Sequence, residues 1–215
     1  MVPHQVAGTT VHHPEHSRRS NADTVTLSDA TGKVARESNL DDGELRELMR
    51  AYQGGAIEAF DALHAKLAMP LYYYLAALTR DGTHAQDLLQ ETFLQIHRSR
   101  RAYRPDLPVR PWVFAIARHV SLMDRRSRSR RPATGAELPE IPVPPEVSSL
   151  ADRDGLRRAL DAVLPDRREA LLLHHVWGLT FAEIGQMLGI RADAAKLRSS
   201  RGMADLRALL TGTDA

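Results

Sequence analysis

Read from residue 41 onward, the chain alternates apolar and polar positions with the period of an α-helix, in one segment after another. In DDGELRELMRAY, Leu45, Leu48 and Met49 recur on one face, Asp41 or Asp42 is placed to cap the start, and Gly54 and Gly55 close the segment. A second helix is predicted from about Ile57, through Phe60, Leu63 and Leu67 and then LYYYLAALT after Pro70, stopping near Asp81 and Gly82. The third is THAQDLLQETFLQIHRS. There Ala85, Leu88, Leu89, Thr92, Phe93 and Ile96 make one stripe, and Gln86, Asp87, Gln90, Glu91 and Gln95 fill the remaining circumference. A loop, RAYRPDLPVRP, leads into a fourth helix, WVFAIARHVSLM, in which Trp112, Phe114 and Ile116 are given mainly packing roles.

The pattern lapses over residues 132–150, where five prolines and three glutamates stand without a basic residue, and this stretch reads as a linker. It resumes with Leu156, Leu160, Val163 and Leu164, a helix stopped by Pro165, and then with REALLLHHVWG, which ends at Gly178. In LTFAEIGQMLGIRADAAKLRSSRGMADLRALL, Thr180 is placed to cap a short helix reaching Leu188. Gly189 suits a turn of positive φ, and a longer helix begins near Ala192. This is the layout of a helix-turn-helix. No segment reads as a strand. The expectation is an all-α protein of two small helical domains, at 41–131 and 151–212, joined by the Pro-rich linker. Residues 1–40 lack sustained periodicity and read as a flexible N-terminal extension.

Charge changes the picture more than composition does. The formal net charge is only +2, yet residues 98–131 carry eleven Arg against Asp106 and Asp124, whereas residues 41–97 carry nine acidic and four basic residues. Such segregation points to contact with a polyanion at one place. Asp87, Gln90 and Glu91 lie three and four positions apart on the third helix, so they share a face that repels phosphate and suits a partner offering Arg or Lys. On the last helix Ala195, Ser199, Gly202, Met203, Leu206 and Leu210 fall on the inward side. The other side carries Asp193, Leu197, Ser200 and Arg201, flanked by Lys196 and Arg198. Arg201 is the best base-reading candidate there, with Lys196 and Arg198 for phosphates.

Other chemistry has little support. The chain has no Cys, which removes disulfides and thiolate metal sites and fits a reducing compartment. His4, His12, His13 and His16 are read as part of a solvated tail. His174 and His175 are neighbours about 100° apart on a helix and share no face for a metal. There is no Gly-rich phosphate loop, nucleophile elbow or HExxH, so neither an enzyme nor a cofactor, metal or small-molecule substrate is expected. No apolar run approaches the roughly 20 residues of a membrane span, and the N-terminus lacks the layout of a signal peptide, so a cytoplasmic location is expected.

The segments DDGELRELMRAYQGGAIEAFDALHAKLAMPLYYYLAAL, QDLLQETFLQIHR and RPWVFAIARHVSLMDRRSR together resemble region two of the extracytoplasmic-function (ECF) sigma factors of bacteria. ALDAVLPDRREALLLHHVWGLTFAEIGQMLGIRADAAKLRSSRGMADLRALL resembles their region four. The resemblance implies that Asp87, Gln90 and Glu91 dock on the clamp helices of the largest subunit of core RNA polymerase, whose flap is a further contact. It also implies that the loop and fourth helix read and help melt the minus-ten promoter element through Tyr103, Arg104, Arg110, Arg118, His119, Arg125, Arg126 and Arg128. Basic side chains would follow the strand, and stacking surfaces would hold flipped bases. Lys196, Leu197, Arg198, Ser200 and Arg201 would enter the major groove at the minus-thirty-five element. An anti-sigma factor, often at the inner membrane, is the implied restraint. The sequence departs from the family pattern at His119, where many members have Asn, at Ala194 and Ala195, which replace Thr-Val, and at Leu197 and Ser199, which stand interchanged. Two other readings stay open: a free-standing helix-turn-helix regulator, and a protein-interaction module that never engages DNA.

Overall fold

The computed structural model describes residues 41–128 and 150–212. The sequence readings of residues 1–40 and of the linker lie outside the described residues. Among the described residues the chain forms eight α-helices and one 3-10 turn. α1 spans Asp42–Gln53, α2 Ile57–Thr79, α3 Gly82–Ser99 and α4 Val109–Arg128, with the 3-10 turn Arg100–Ala102 after α3. The second group comprises α5 (Leu150–Ala162), α6 (Pro165–His175), α7 (Phe181–Leu188) and α8 (Ala192–Thr211). No strand occurs among the described residues, as the periodicity predicts.

α2 is the spine of the first group. Its inner face buries Leu63, Leu67, Leu71, Tyr74 and Leu75, and α1, α3 and α4 pack around it with Leu45, Met49, Leu88, Phe93, Ile96, Val113 and Phe114. Pro70 sits inside α2 and forgoes one backbone hydrogen bond without ending the helix. α2 stops at Arg80, which adopts the left-handed conformation at φ 57° and donates its backbone N–H to Ala76 O at 2.8 Å. Asp81 then caps α3 by accepting the His84 N–H at 2.9 Å.

The two aspartates at the head of the first group divide the capping between them. Asp41 caps α1, its Oδ1 accepting from Gly43 N at 2.9 Å. The Asp42 carboxylate instead reaches the start of α4 and accepts from the backbone N–H groups of Val109 (3.0 Å) and Arg110 (3.2 Å). α4 consequently begins three residues before the predicted Trp112 and carries the arginines through Arg128 in helical register.

In the second group Pro165 does more than stop α5. Standing at the first position of α6, it starts that helix, and Leu164 is the exposed residue before it, not part of the apolar stripe. Thr180 and Glu183 form a reciprocal capping box at α7, and Gly189 turns at φ 68°. α7 and α8 thus take the predicted helix-turn-helix form. Gly202 lets α8 approach α6 closely, since a Cβ there would lie 2.8 Å from Arg167 O.

The two groups meet along a seam. Trp177, 6% exposed, lies edge-on to Tyr74 (ring centroids 5.4 Å apart) and against Phe114 (5.5 Å).

Candidate nucleic-acid and partner interfaces

On α3 the buried stripe is Ala85, Leu88, Thr92, Phe93 and Ile96. Thr92 satisfies its hydroxyl by donating to Leu88 O at 2.7 Å. With that side fixed inward, Asp87 and Gln90 are exposed and Glu91 is half-buried on the outer side. Glu91 accepts a hydrogen bond from Gln95 Nε2 (2.6 Å), and Arg98 lies 4.0 Å away. The acidic face extends across a groove of about 640 Å³ between α3 and α4, where Asp87 and Glu91 stand opposite His119, Met123 and Asp124. His84 closes one end through a 2.7 Å contact between its Nε2 and Asp124 Oδ2.

The basic residues assigned to the minus-ten element do not form one surface. Arg104 is exposed and paired with Asp106 at 2.9 Å, which holds the Asp106 carboxyl below its ordinary range through that hydrogen bond. Arg110 is mostly covered: its Nη1 donates to Trp177 O at 3.1 Å and its Nε stands 3.8 Å from Asp42. Arg118 points to the second group, where its Nε donates to Glu169 Oε1 at 3.0 Å. His119, the next residue, faces the acidic groove instead. Arg125, Arg126 and Arg128 are exposed in the last turns of α4, where their charge also complements the negative end of the helix dipole.

Tyr103 requires a correction. It was expected to offer a stacking surface, but it is only 3% exposed, with its ring against Trp112 and its hydroxyl donating to Leu107 O. Gln53 pins the same loop by donating to Arg100 O and Tyr103 O. Burial raises the Tyr103 phenol above its ordinary pKa, as fits an aromatic that packs a loop.

On α8 the period places the side chains as expected. Ala195, Ser199 and Gly202 are buried, whereas Lys196, Leu197, Ser200 and Arg201 form an exposed strip at spacing i, i+1, i+4 and i+5. Leu197 is 49% exposed, an apolar contact in the middle of the strip. Arg198 leans off it to Asp166 of α6, 3.4 Å away. Behind the motif His174 stacks on Phe181 (4.0 Å) and shares a hydrogen bond with Leu179 O, while burial, His174 and Arg207 hold His175 down to about 4.

Sequence reasoning missed Asp42, Glu169 and Trp177. Trp177 is one of only two Trp in the chain and stands beside a turn glycine, the one local signal that it has a distant partner.

Residues 63–131 match the family Sigma-70 region 2, and residues 153–206 match Sigma-70 region 4. The chain is 38% identical over 173 residues to the RNA polymerase sigma factor CarQ of Myxococcus xanthus, covering 75% of this chain and 95% of CarQ. It is 30% identical to the ECF RNA polymerase sigma factor SigE of Mycolicibacterium smegmatis, over 94% of this chain and 86% of that protein. The fold matches RpoE of Bartonella quintana, solved in complex with the anti-sigma factor NepR, with a TM-score of 0.62 at 23% identity, covering 72% of this chain and 98% of RpoE. It also matches CnrH, solved with the cytosolic domain of CnrY, at a TM-score of 0.60 and 22% identity, covering 79% and 98% of the two chains. Matches to both region models, together covering more than half of the chain, and 38% and 30% identity to these two curated relatives place this chain in the family of ECF RNA polymerase sigma factors.

Proposed function

We propose that this chain is an alternative sigma factor that joins core RNA polymerase, carries it to a particular set of promoters and helps open the minus-ten element. The observation that carries the reading is the conjunction, on one chain, of an acidic helix face with two separate cationic surfaces. A DNA-binding regulator gains nothing at the duplex from Asp87 and Glu91, because carboxylates repel phosphate, whereas a polymerase subunit needs such a face for the enzyme.

In this reading Asp87, Gln90 and Glu91 engage cationic side chains on the clamp helices of the largest subunit, and the second domain meets the flap. Arg104, Arg110, Arg118, His119, Arg125, Arg126 and Arg128 serve the separated strands, and Tyr103 supports the loop from within. Region four sets α8 in the major groove at minus thirty-five. Arg201 takes a base edge, Leu197 offers an apolar contact suited to a thymine methyl, and Lys196, Arg198 and Ser200 hold phosphates. Each domain binds weakly alone. Attachment to polymerase raises the local concentration of both at correctly spaced elements. The chemistry remains the polymerase's own, so no catalytic residue is assigned to this chain. No described helix is long and apolar enough to cross a membrane, and we place the protein in the cytoplasm with its polymerase. Two solved relatives of the same fold are complexes, one with an anti-sigma factor and one with a cytosolic domain. This supports an anti-sigma partner here too, one anchored at the inner membrane.

The test is size-exclusion chromatography of the purified chain with bacterial core RNA polymerase at moderate salt. Co-elution is expected. Failure to co-elute, together with tight binding of the free chain to a palindromic duplex, would instead assign a conventional helix-turn-helix regulator.

A further inference from the structure

Positive charge collects along the seam and is not matched there. Asp161 is shared by two guanidinium groups, with Arg168 Nη1 3.1 Å and Arg80 Nε 3.6 Å from its Oδ1. Glu169 Oε1 is already committed, accepting from Arg118 Nε at 3.0 Å and from the Tyr74 hydroxyl at 2.8 Å. Asp166 lies 3.4 Å from Arg198. Arg125, further along α4, pairs with no carboxylate among the described residues. Five arginines thus stand against three carboxylates, an excess of two positive charges. The excess borders a void: a cavity of about 130 Å³ between α4 and α6, onto which Arg118, Ser121, Arg125 and Arg168 all face. Arg168 is only 5% exposed, and burial, then the charge of Arg80, hold its pKa below the ordinary arginine range. Pro165 and Asp166, the first residues of α6, also line the cavity, so the positive end of that helix adds to the field, and Leu164 supplies no side-chain cap to offset it.

We infer that this cavity is a binding site for a small free phosphate-class dianion, held by Arg118, Arg125 and Arg168 with the Ser121 hydroxyl as a further donor. Charge, size and chemistry agree. The excess of two positive charges matches the roughly −1.5 to −2 that a phosphate group carries near neutral pH. The volume is about ten times the 10–15 Å³ or so that one water needs, which is room for a tetrahedral oxyanion and a few waters. It is well short of the roughly 300 Å³ at which pockets begin to take drug-sized ligands, so a nucleotide with its base and ribose is too large. Guanidinium forks suit phosphate oxygens, and a buried arginine gains most from such a partner because its charge is poorly solvated. The carboxylates on the cavity wall do not supply that partner, since Glu169 and Asp166 are each engaged by another arginine. The lining comes from both helical groups, so an occupied site stabilises the folded chain by mass action. This site goes beyond the sigma reading and does not rest on it; where that reading gives Arg118 and Arg125 to the separated strands, a bound dianion competes with a strand for them.

Isothermal titration calorimetry of the full-length chain with inorganic phosphate, in a phosphate-free buffer, should show one saturable site, and the thermal midpoint should rise as the site fills. Arg125→Gln, a change at an exposed position, should leave the chain folded and weaken phosphate binding on the order of tenfold. Ser121→Asp places a carboxylate where the ligand belongs, so it should raise the midpoint without phosphate and abolish both the titration and the phosphate-induced rise. No saturable heat and no midpoint shift in the wild type would overturn the site. A phosphate-induced rise of equal size in the wild type and both variants would reduce it to a general salt effect, which also overturns it. A single-stranded oligonucleotide is the remaining arm. If it binds and is weakened by both substitutions while inorganic phosphate is silent, the unmatched charge belongs to the nucleic acid strand and the free-ligand proposal fails. If phosphate binds as expected and displaces the oligonucleotide, the competition for Arg118 and Arg125 is confirmed.

Discussion

Asp42, at the head of α1, accepts the backbone N–H of Val109, 67 positions later, at 3.0 Å and so caps the helix that carries the basic surface. The same carboxylate takes Arg110 N at 3.2 Å and lies 3.8 Å from its Nε. Two otherwise orphaned donors at the start of α4 are thus satisfied from another helix. Asp42→Ala should destabilise the protein by about 1–2 kcal/mol, in the range of lost helix caps. Asp42→Asn, which keeps an acceptor oxygen, should lose less. Urea denaturation followed by far-UV circular dichroism measures both, and equal losses for Ala and Asn would mean that charge, not capping, dominates.

The two binding surfaces should separate genetically. Asp87→Ala with Glu91→Ala should abolish co-elution with core polymerase and leave the thermal midpoint unchanged, because both residues lie on the outer side of α3. Lys196→Ala with Arg201→Ala should spare co-elution and lose promoter-directed transcription. Within that pair, Arg201→Ala should cost about 1–3 kcal/mol at one base position, whereas Lys196→Ala should weaken all sequences alike and lower the salt slope by about one. Persistent polymerase binding by the first double mutant would remove the assignment of the acidic face.

Close packing of α8 on α6 predicts a contrast between two glycines. At Gly202 a Cβ would stand 2.8 Å from Arg167 O and 3.1 Å from its carbonyl carbon, with no flexible side-chain end to yield. Gly202→Ala should lower stability by roughly 1–3 kcal/mol. Gly212, at φ −83° with nothing within 4 Å, should accept Ala within about 0.5 kcal/mol. Differential scanning calorimetry of the two variants tests the pair.

His175 gives the second domain an acid sensitivity. Burial foremost, then His174 and Arg207, hold its pKa to about 4 in the fold, against 6.5 for an ordinary histidine. Between those values the unfolded chain binds a proton that the folded chain does not, so this contribution is complete above about pH 6.5 and declines as pH falls toward 4. Allowing for solvent screening of a half-buried ring, the decline amounts to about 1–2 kcal/mol. His175→Asn should flatten the difference between urea midpoints at pH 7 and pH 4.5; a slope equal to that of the wild type would place the acid sensitivity elsewhere.

What could be read in advance, and what could not, follows the range of the interactions. The cap at Thr180, the positive-φ turn at Gly189 and the inward placement of Ser199 are set within a few residues, so spacing reveals them. The face shared by Asp87, Gln90 and Glu91 is legible for the same reason. Tyr103 is different: a tyrosine in a loop full of Arg and Pro reads as exposed, and only its packing on Trp112 and the clasp from Gln53 show it to be interior. Asp42 likewise looks like a cap for its own helix, and Arg118 like a residue free for DNA. Their actual partners, Val109 and Glu169, are 67 and 51 positions away. Periodicity reports which way a side chain points around its own helix, not which helix will be there to meet it.

Arg80 shows such distant demands acting against local preference. It ends α2 in the left-handed conformation at φ 57°, where glycine is at ease and a residue with a Cβ carries about 1 kcal/mol of strain. Its guanidinium nevertheless extends across to Asp161. A glycine at this position would make a more relaxed helix terminus and a looser molecule. The arginine works as a rivet, set at a joint that its own backbone resists, so that the place where the first domain stops is also where the second is held.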